Sequence, residues 1–268
     1  MIVNQGAFYL LAFATIGCLL AASIFVPNED GALSAAGTAI KKRASLLASL
    51  WFLTSFIGVI LKVHQILGGS FADALDATTL TSYLTQTDLG RSMFFQMIAL
   101  AIVACTLPLF KRALPLVVLT GISLIALIAP IFQSHAASSG SHQLAIGALV
   151  THVIALSLWV GGLFGIIMAP RELRISALYR FSALALWAAI AVVLSGVATA
   201  WTRLNERSAW NTQYAYVVIA KVILTVALFA MGWANRKALA SRDQMRLQEL
   251  VRLIAVEAMV MATVVLMG

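Results

Sequence analysis

The sequence predicts an all-α fold: a polytopic transmembrane helical bundle of about eight spans with both termini on the outer side. Three observations predict it. Hydrophobic residues make up 62% of the 268-residue chain and charged residues 10%, with a mean hydropathy of +0.97; a soluble domain carries about 25% charged residues. Apolar runs long enough to cross a bilayer recur along the whole chain, and lipid forces backbone groups to pair within the segment, which means helices here because the short alternating segments of a barrel are missing. Finally, the basic residues alternate between loops. Those after spans 1, 3, 5 and 7 hold Lys41, Lys42, Arg43, Lys111, Arg112, Arg171, Arg174, Arg180, Arg236, Lys237, Arg242 and Arg246, and the others only Arg91, Arg203 and Arg207. Twelve against three puts the odd loops in the cytoplasm. The net charge of +8 is therefore a membrane-topology signal and not a nucleic-acid footprint.

The spans follow in order within a single membrane domain, 1–268, that leaves no room for a sizeable soluble domain. The first covers about 6–26 and stops at Pro27 and the NEDG loop. MIVNQG has no basic n-region, so this span is expected to remain in the protein. The second, about 44–67, follows the Lys41–Arg43 cluster and carries Lys62 and His64 near its far end. The loop 68–90 contains FADALDATTLTSYL, which reads as a short interfacial helix. Span 3 covers about 91–110, and Lys111 and Arg112 turn the chain into span 4, about 113–132, with Pro115 and Pro130 in its first and last turns. Spans 5 to 8 cover about 143–168, 178–201, 214–234 and 250–268. The last is still apolar at Gly268, so a truncation after 268 from a longer parent is expected. Cys18 and Cys105 sit singly in apolar spans and form no disulfide framework; both read as small core residues, Cys18 also as a remote soft ligand.

The chemistry concentrates between Gln133 and Pro170. Three of the four histidines, His135, His142 and His152, fall within 18 residues there. His152 lies about nine residues into span 5, roughly 14 Å deep at 1.5 Å per residue. An ionisable side chain inside hydrocarbon is a functional candidate. By the predicted topology His64 also lies in the outer half. Neutral imidazole is a common metal ligand and suits copper. Met93 and Met97, spaced i, i+4 on one face of span 3, add thioethers, which select Cu(I); gap-filling in the core is the alternative use of methionine. Trp159 and Gly161–Gly162 follow His152, and Gly161 with Gly165 makes a GxxxG pattern for close helix packing. Lys221 and Glu257 are intramembrane charges expected to face the bundle interior. No hydrolytic or nucleotide-binding motif is present, so the chain is not expected to be an enzyme.

Several of these residues form a pattern. His152-x6-Trp159-x-Gly161-Gly162, Tyr179-Arg180-Phe181-Ser182, Ser195-Gly196, Thr212-x-Tyr214, Lys221, Asn235-Arg236 and Arg252 with Glu257 resemble the CopD copper-resistance membrane proteins. Upstream, Thr87-x2-Gly90-Arg91 and Ser134-His135-Ala136 extend the resemblance, which covers the chain from about Thr87 onward. It implies a multi-pass protein of the bacterial cytoplasmic membrane that handles copper. A CopC-like copper carrier outside the membrane and a CtaG-like or other cytochrome oxidase assembly factor are the implied partners. His135 and His152 carry over by motif; His64, His142, Met93 and Met97 join them by position. Two other readings stand beside this one. Histidines on neighbouring spans, His64 or His135 with His152, can ligate a b-type haem for electron transfer. A structural or assembly subunit of a respiratory complex needs no ligand.

Overall fold

The computed structural model describes residues 2–133 and 142–203, with a few positions between 216 and 230. The expected span 8 and most of span 7, with Lys221 and Glu257, lie outside the described residues, as does His135. The helices are α1 (Ile2–Leu20), which continues as a π-turn over Ala21–Phe25, α2 (Ala35–Leu67), α3 (Phe71–Leu75), α4 (Ala77–Gln86), α5 (Asp88–Thr106), α6 (Ala113–Ile128), α7 (His142–Met168) and α8 (Arg174–Arg203). Six stretches, Val3–Phe25, Ala35–Leu67, Asp88–Leu109, Ala113–Gln133, Gln143–Met168 and Arg171–Trp201, are long and apolar enough to cross a membrane. Among the described residues there is no strand, only two isolated bridges at Ala32. The protein is an all-α polytopic membrane bundle.

Local chemistry sets the element ends. α2 starts at Ala35, well before the apolar run, because the Ser34 hydroxyl accepts from Gly37 N at 3.2 Å. It ends where Gly68 takes φ 63°, the left-handed turn that closes helices. The expected interfacial helix is two helices. Ser70 and Asp73 form a capping box on α3, and the Asp76 carboxylate accepts from Thr79 N at 2.8 Å to start α4. Thr87 caps α5 through Gly90 N at 2.9 Å.

α1 is the central helix. Its apolar stretch is 72% buried, against 28–39% for the other five, whose remaining apolar surface suits lipid contact. It packs on α2, α6 and α7. Against α7 the backbones themselves meet: a Cβ on Gly17 would overlap the Gly161 carbonyl, one on Gly161 would strike Phe13 O, and one on Gly165 would strike Gly17 O. These contacts advance together along both helices, so α1 and α7 run parallel. The sequence's GxxxG pattern thus has a named partner, a third glycine on α1. Gly162 faces the other way, where a Cβ would strike the Phe181 ring of α8.

One end of the bundle is held by basic side chains that donate to helix-terminal carbonyls. Lys41 Nζ reaches Pro108 O at 3.1 Å and Phe110 O at 2.8 Å, below α5. Arg43 Nη1 reaches Met168 O at 2.8 Å, while Arg174 reaches Ile167 O at 2.7 Å and Ala169 O at 3.1 Å, all at the end of α7. Arg180 Nη1 donates to Ile24 O at 3.3 Å, at the end of α1. Cations belong at helix C-termini, where the macrodipole is negative and carbonyls lack partners. The loop residues that encode topology therefore also cap three helices. The Asp30–Gly31 turn, with φ 47° and 76°, pairs this loop with the α5–α6 turn through Leu33 N to Lys111 O and Ala113 N to Gly31 O, each 2.9 Å.

Candidate metal centre

At the opposite end of the bundle the described ligand candidates form two groups. His152 sits on α7, ten residues from its start at His142, or about 15 Å along the axis. Its ring is half-buried, and Nδ1 stands 3.0 Å from Ser195 Oγ on α8. That hydroxyl is buried and donates to Ala191 O at 2.6 Å, with Val192 O at 3.1 Å. The Cε1 edge of the ring lies 3.9 Å from where a Cβ on Gly196 would be, so Ser195 and Gly196 together frame it. Trp159, two turns further along α7, is buried in the core. With Gly161 and Gly162 it fixes how α7 seats between α1 and α8.

The second group surrounds the far end of α2. His64 stacks on Phe71 of α3, with ring centroids 4.1 Å apart and an interplanar angle of 20°. Its Nδ1 is buried with no hydrogen-bond partner among the described residues. Next to it, Val59, Val63, Ala74 and Tyr83 form a small apolar cluster against which Met93 and Met97 pack, both half-buried. The Tyr83 hydroxyl donates to Met93 Sδ at 3.6 Å, and burial pushes its phenol pKa up. His64 and the two thioethers thus lie toward the same end of α2, and imidazole and thioether are both ligands suited to a soft monovalent cation.

The structure brings Met93 and Met97 to the His64 end of α2, and it does not bring His152 there. α7 packs on α1 and α8, while α2 packs on α1, α3 and α5, so α1 stands between. No group of three or more His, Cys, Asp or Glu among the described residues is placed to hold one metal ion. Cys18 is buried in the core and Cys105 is exposed. The side chain of His142 lies outside the described set. A groove of about 500 Å³ between α5 and α6, with Arg91, Ser92, Phe95, Ile125, Phe132 and Gln133 in its wall, contains none of the described candidate ligands.

Sequence reasoning passed over Gln96. It is 2% exposed; its amide nitrogen donates to Ala126 O at 2.7 Å, and its carbonyl oxygen accepts from Ser55 Oγ at 3.1 Å. It thereby joins α2, α5 and α6 beside Met97. A glutamine within an apolar span was the available signal.

Residues 1–144 match the family described as copper resistance protein D-like, N-terminal domain, and residues 175–268 match copper resistance protein D. No curated protein and no solved structure matches the chain. The two family matches cover both the His64–Met93–Met97 region and the Ser195 side of the His152 contact. The chain is a multi-pass membrane protein and belongs to the copper resistance protein D family.

Proposed function

We propose that this protein takes up copper at the end opposite its basic loops and either moves it inward or delivers it to a respiratory oxidase under assembly. By the positive-inside rule that end faces outward and both termini lie outside. Two ligand stations serve the ion. His64 at the rim, with Met93 and Met97 further in along α5, supplies soft ligands suited to Cu(I). His152 forms the deeper one, with His135 and His142 in the adjacent stretch of sequence as its further ligands. Lys221 and Glu257, in the expected spans 7 and 8, are intramembrane charges that face the bundle interior in this reading. A CopC-like carrier outside the membrane supplies the ion, and a CtaG-like factor is the receiving partner. The bacterial cytoplasmic membrane is the proposed location.

The observation that carries this reading is the His152–Ser195 contact, a half-buried imidazole inside a span, held by a partner on the next helix within a copper-resistance family. Metal-ligating histidines are held in this way. In cells, His152→Ala should abolish copper accumulation through this protein at unchanged membrane insertion. Normal accumulation in that variant sinks the proposal. An optical spectrum of the purified protein separates the haem reading, because a Soret band would replace copper with b-type haem as the ligand of His152.

A further inference from the structure

We infer that the side chain of Gln96 stands in for the backbone donor that Pro130 lacks, and that the pair makes the far end of α6 a latched hinge. In an α-helix the amide of residue 130 donates to the carbonyl of residue 126. Pro130 has no N–H, so the Ala126 carbonyl loses that partner. Gln96 of α5 supplies the replacement: its side-chain amide donates to Ala126 O at 2.7 Å. Both residues are buried, so bulk water does not serve the carbonyl instead. A backbone carbonyl only accepts, so the amide nitrogen must face Ala126 and the amide oxygen must face away. That oxygen accepts from the Ser55 hydroxyl of α2 at 3.1 Å, which holds the amide in this orientation.

The helix changes character at this point. α6 is α-helical to Ile128 and continues as a 3₁₀ turn over Ala129–Gln133. Helices bend where a proline removes an i to i−4 bond, and inside a bilayer the freed carbonyl has to be met by a neighbouring element. Pro115 follows the same rule near the start of α6: Lys111 O, four residues before it, accepts from Leu33 N at 2.9 Å. Beyond the latch lies the groove of about 500 Å³, walled by Ser92 and Phe95 on α5 and by Ala129 and Phe132 on the hinged arm. The latch therefore sets the width of the groove. The next residues in sequence are Ser134 and His135, so the arm is also the tether of a candidate copper ligand.

Electron paramagnetic resonance of the full-length protein in lipid nanodiscs tests the hinge. Spin labels at Ser92→Cys and Phe132→Cys report the distance across the groove; Cys105→Ser removes the exposed thiol, and Cys18 is buried. The otherwise unchanged protein and Pro130→Ala should each give one narrow distance. Gln96→Met keeps the volume and removes the donor, so it should broaden or lengthen that distance. Gln96→Met with Pro130→Ala should make it narrow again, because residue 130 then donates to Ala126 O itself. In SDS-titrated unfolding the two sites should be coupled. The fall in the folding equilibrium caused by Gln96→Met should be about 2- to 10-fold smaller in the Pro130→Ala background, the contribution of one hydrogen bond. Ser55 loses its acceptor in both backgrounds, so that effect cancels. If Gln96→Met alone does not fold, recovery of folded protein in the double variant supports the hinge, and failure there too overturns it. An unchanged distance in Gln96→Met, or equal effects in the two backgrounds, also overturns it, since Gln96 would then pack the core with no tie to Pro130.

Discussion

Replacing Gly17 with alanine tests the central seam of the bundle. The added Cβ would overlap the Gly161 carbonyl, with Gly161 Cα only 2.9 Å away. Restoring an ordinary contact of about 3.5 Å requires α1 and α7 to separate by roughly 1–2 Å. The obstructing atoms are backbone, so no rotamer change relieves them. Overpacking of this kind costs about 1–3 kcal/mol, and the better helix propensity of alanine offsets about 1 kcal/mol. The matched control is Gly121→Ala on α6, where a Cβ meets nothing within 4 Å and only the propensity gain remains. The propensity gain is common to both, so the two variants should differ by the overpacking cost, about 1–3 kcal/mol or roughly 5- to 140-fold in the folding equilibrium. SDS-titrated unfolding in mixed micelles, followed by circular dichroism, reads the difference. Equal midpoints for the two variants would refute the claim that these helices meet backbone to backbone.

Other perturbations probe the remaining elements. Gln96→Leu removes two buried hydrogen bonds and strands the Ser55 hydroxyl and the Ala126 carbonyl; an unfolding free energy lower by about 1–3 kcal/mol is expected in the same assay. The Thr79 amide and hydroxyl hold the Asp76 carboxyl below its ordinary pKa of about 3.9. The folded value is thus the lower one, so this cap is fully present above the ordinary value and is lost as pH falls through the depressed one. Amide exchange over α4 should accelerate in that acid window in wild type and not in Asp76→Asn; a pH-independent cap would contradict this. Met93→Leu with Met97→Leu keeps volume and removes both thioethers, so Cu(I) bound by these soft ligands should be lost while the ¹⁵N NMR signals of His152 stay unchanged. Retained Cu(I) stoichiometry would assign the methionines to packing alone.

The fold class was legible because it follows from hydropathy and the alternation of basic loops, both of which are local properties. Six helical stretches are long and apolar enough to cross a membrane, and the early start of α2 comes from a serine cap outside the apolar run. The centre of the bundle was harder to read. α1 owes its place to small residues, Gly17 and Ala21, that admit the α7 backbone at Gly161 and Gly165. That signal is meaningful only when the partner is known, and Gly161 and Gly165 lie more than a hundred residues away. The ligand candidates show the same asymmetry. The i, i+4 spacing of Met93 and Met97 was visible, and both do pack against one small cluster. The Ser195 partner of His152 was visible only as part of a family pattern, because a contact over 43 residues has no periodicity to announce it.

Helix geometry explains why the candidate ligands split into two stations. His152 precedes Gly161 by nine residues, which at 3.6 residues per turn is two and a half turns, so the two point in opposite directions from α7. Gly161 faces α1 with backbone contact; His152 must therefore face away from α1, toward α8, where Ser195 meets it. Depth does not separate the groups as firmly. Stepping back nine residues along both parallel helices from the Phe13–Gly161 contact puts His152 level with Asn4, whose side chain donates to Thr54 O at 3.2 Å, one residue from the Ser55–Gln96 bond. Met97 follows Gln96 directly. A polar band thus crosses the bundle at one depth, through α7, α1, α2, α5 and α6, with α1 as the barrier between the imidazole and the thioethers. The glycine seam leaves no room between α1 and α7 where Phe13 and Gly17 meet Gly161 and Gly165. His64 stands nine residues beyond Ser55 on α2, about 14 Å nearer the end of that helix, so the imidazoles of His64 and His152 differ in depth as well as in neighbouring helix.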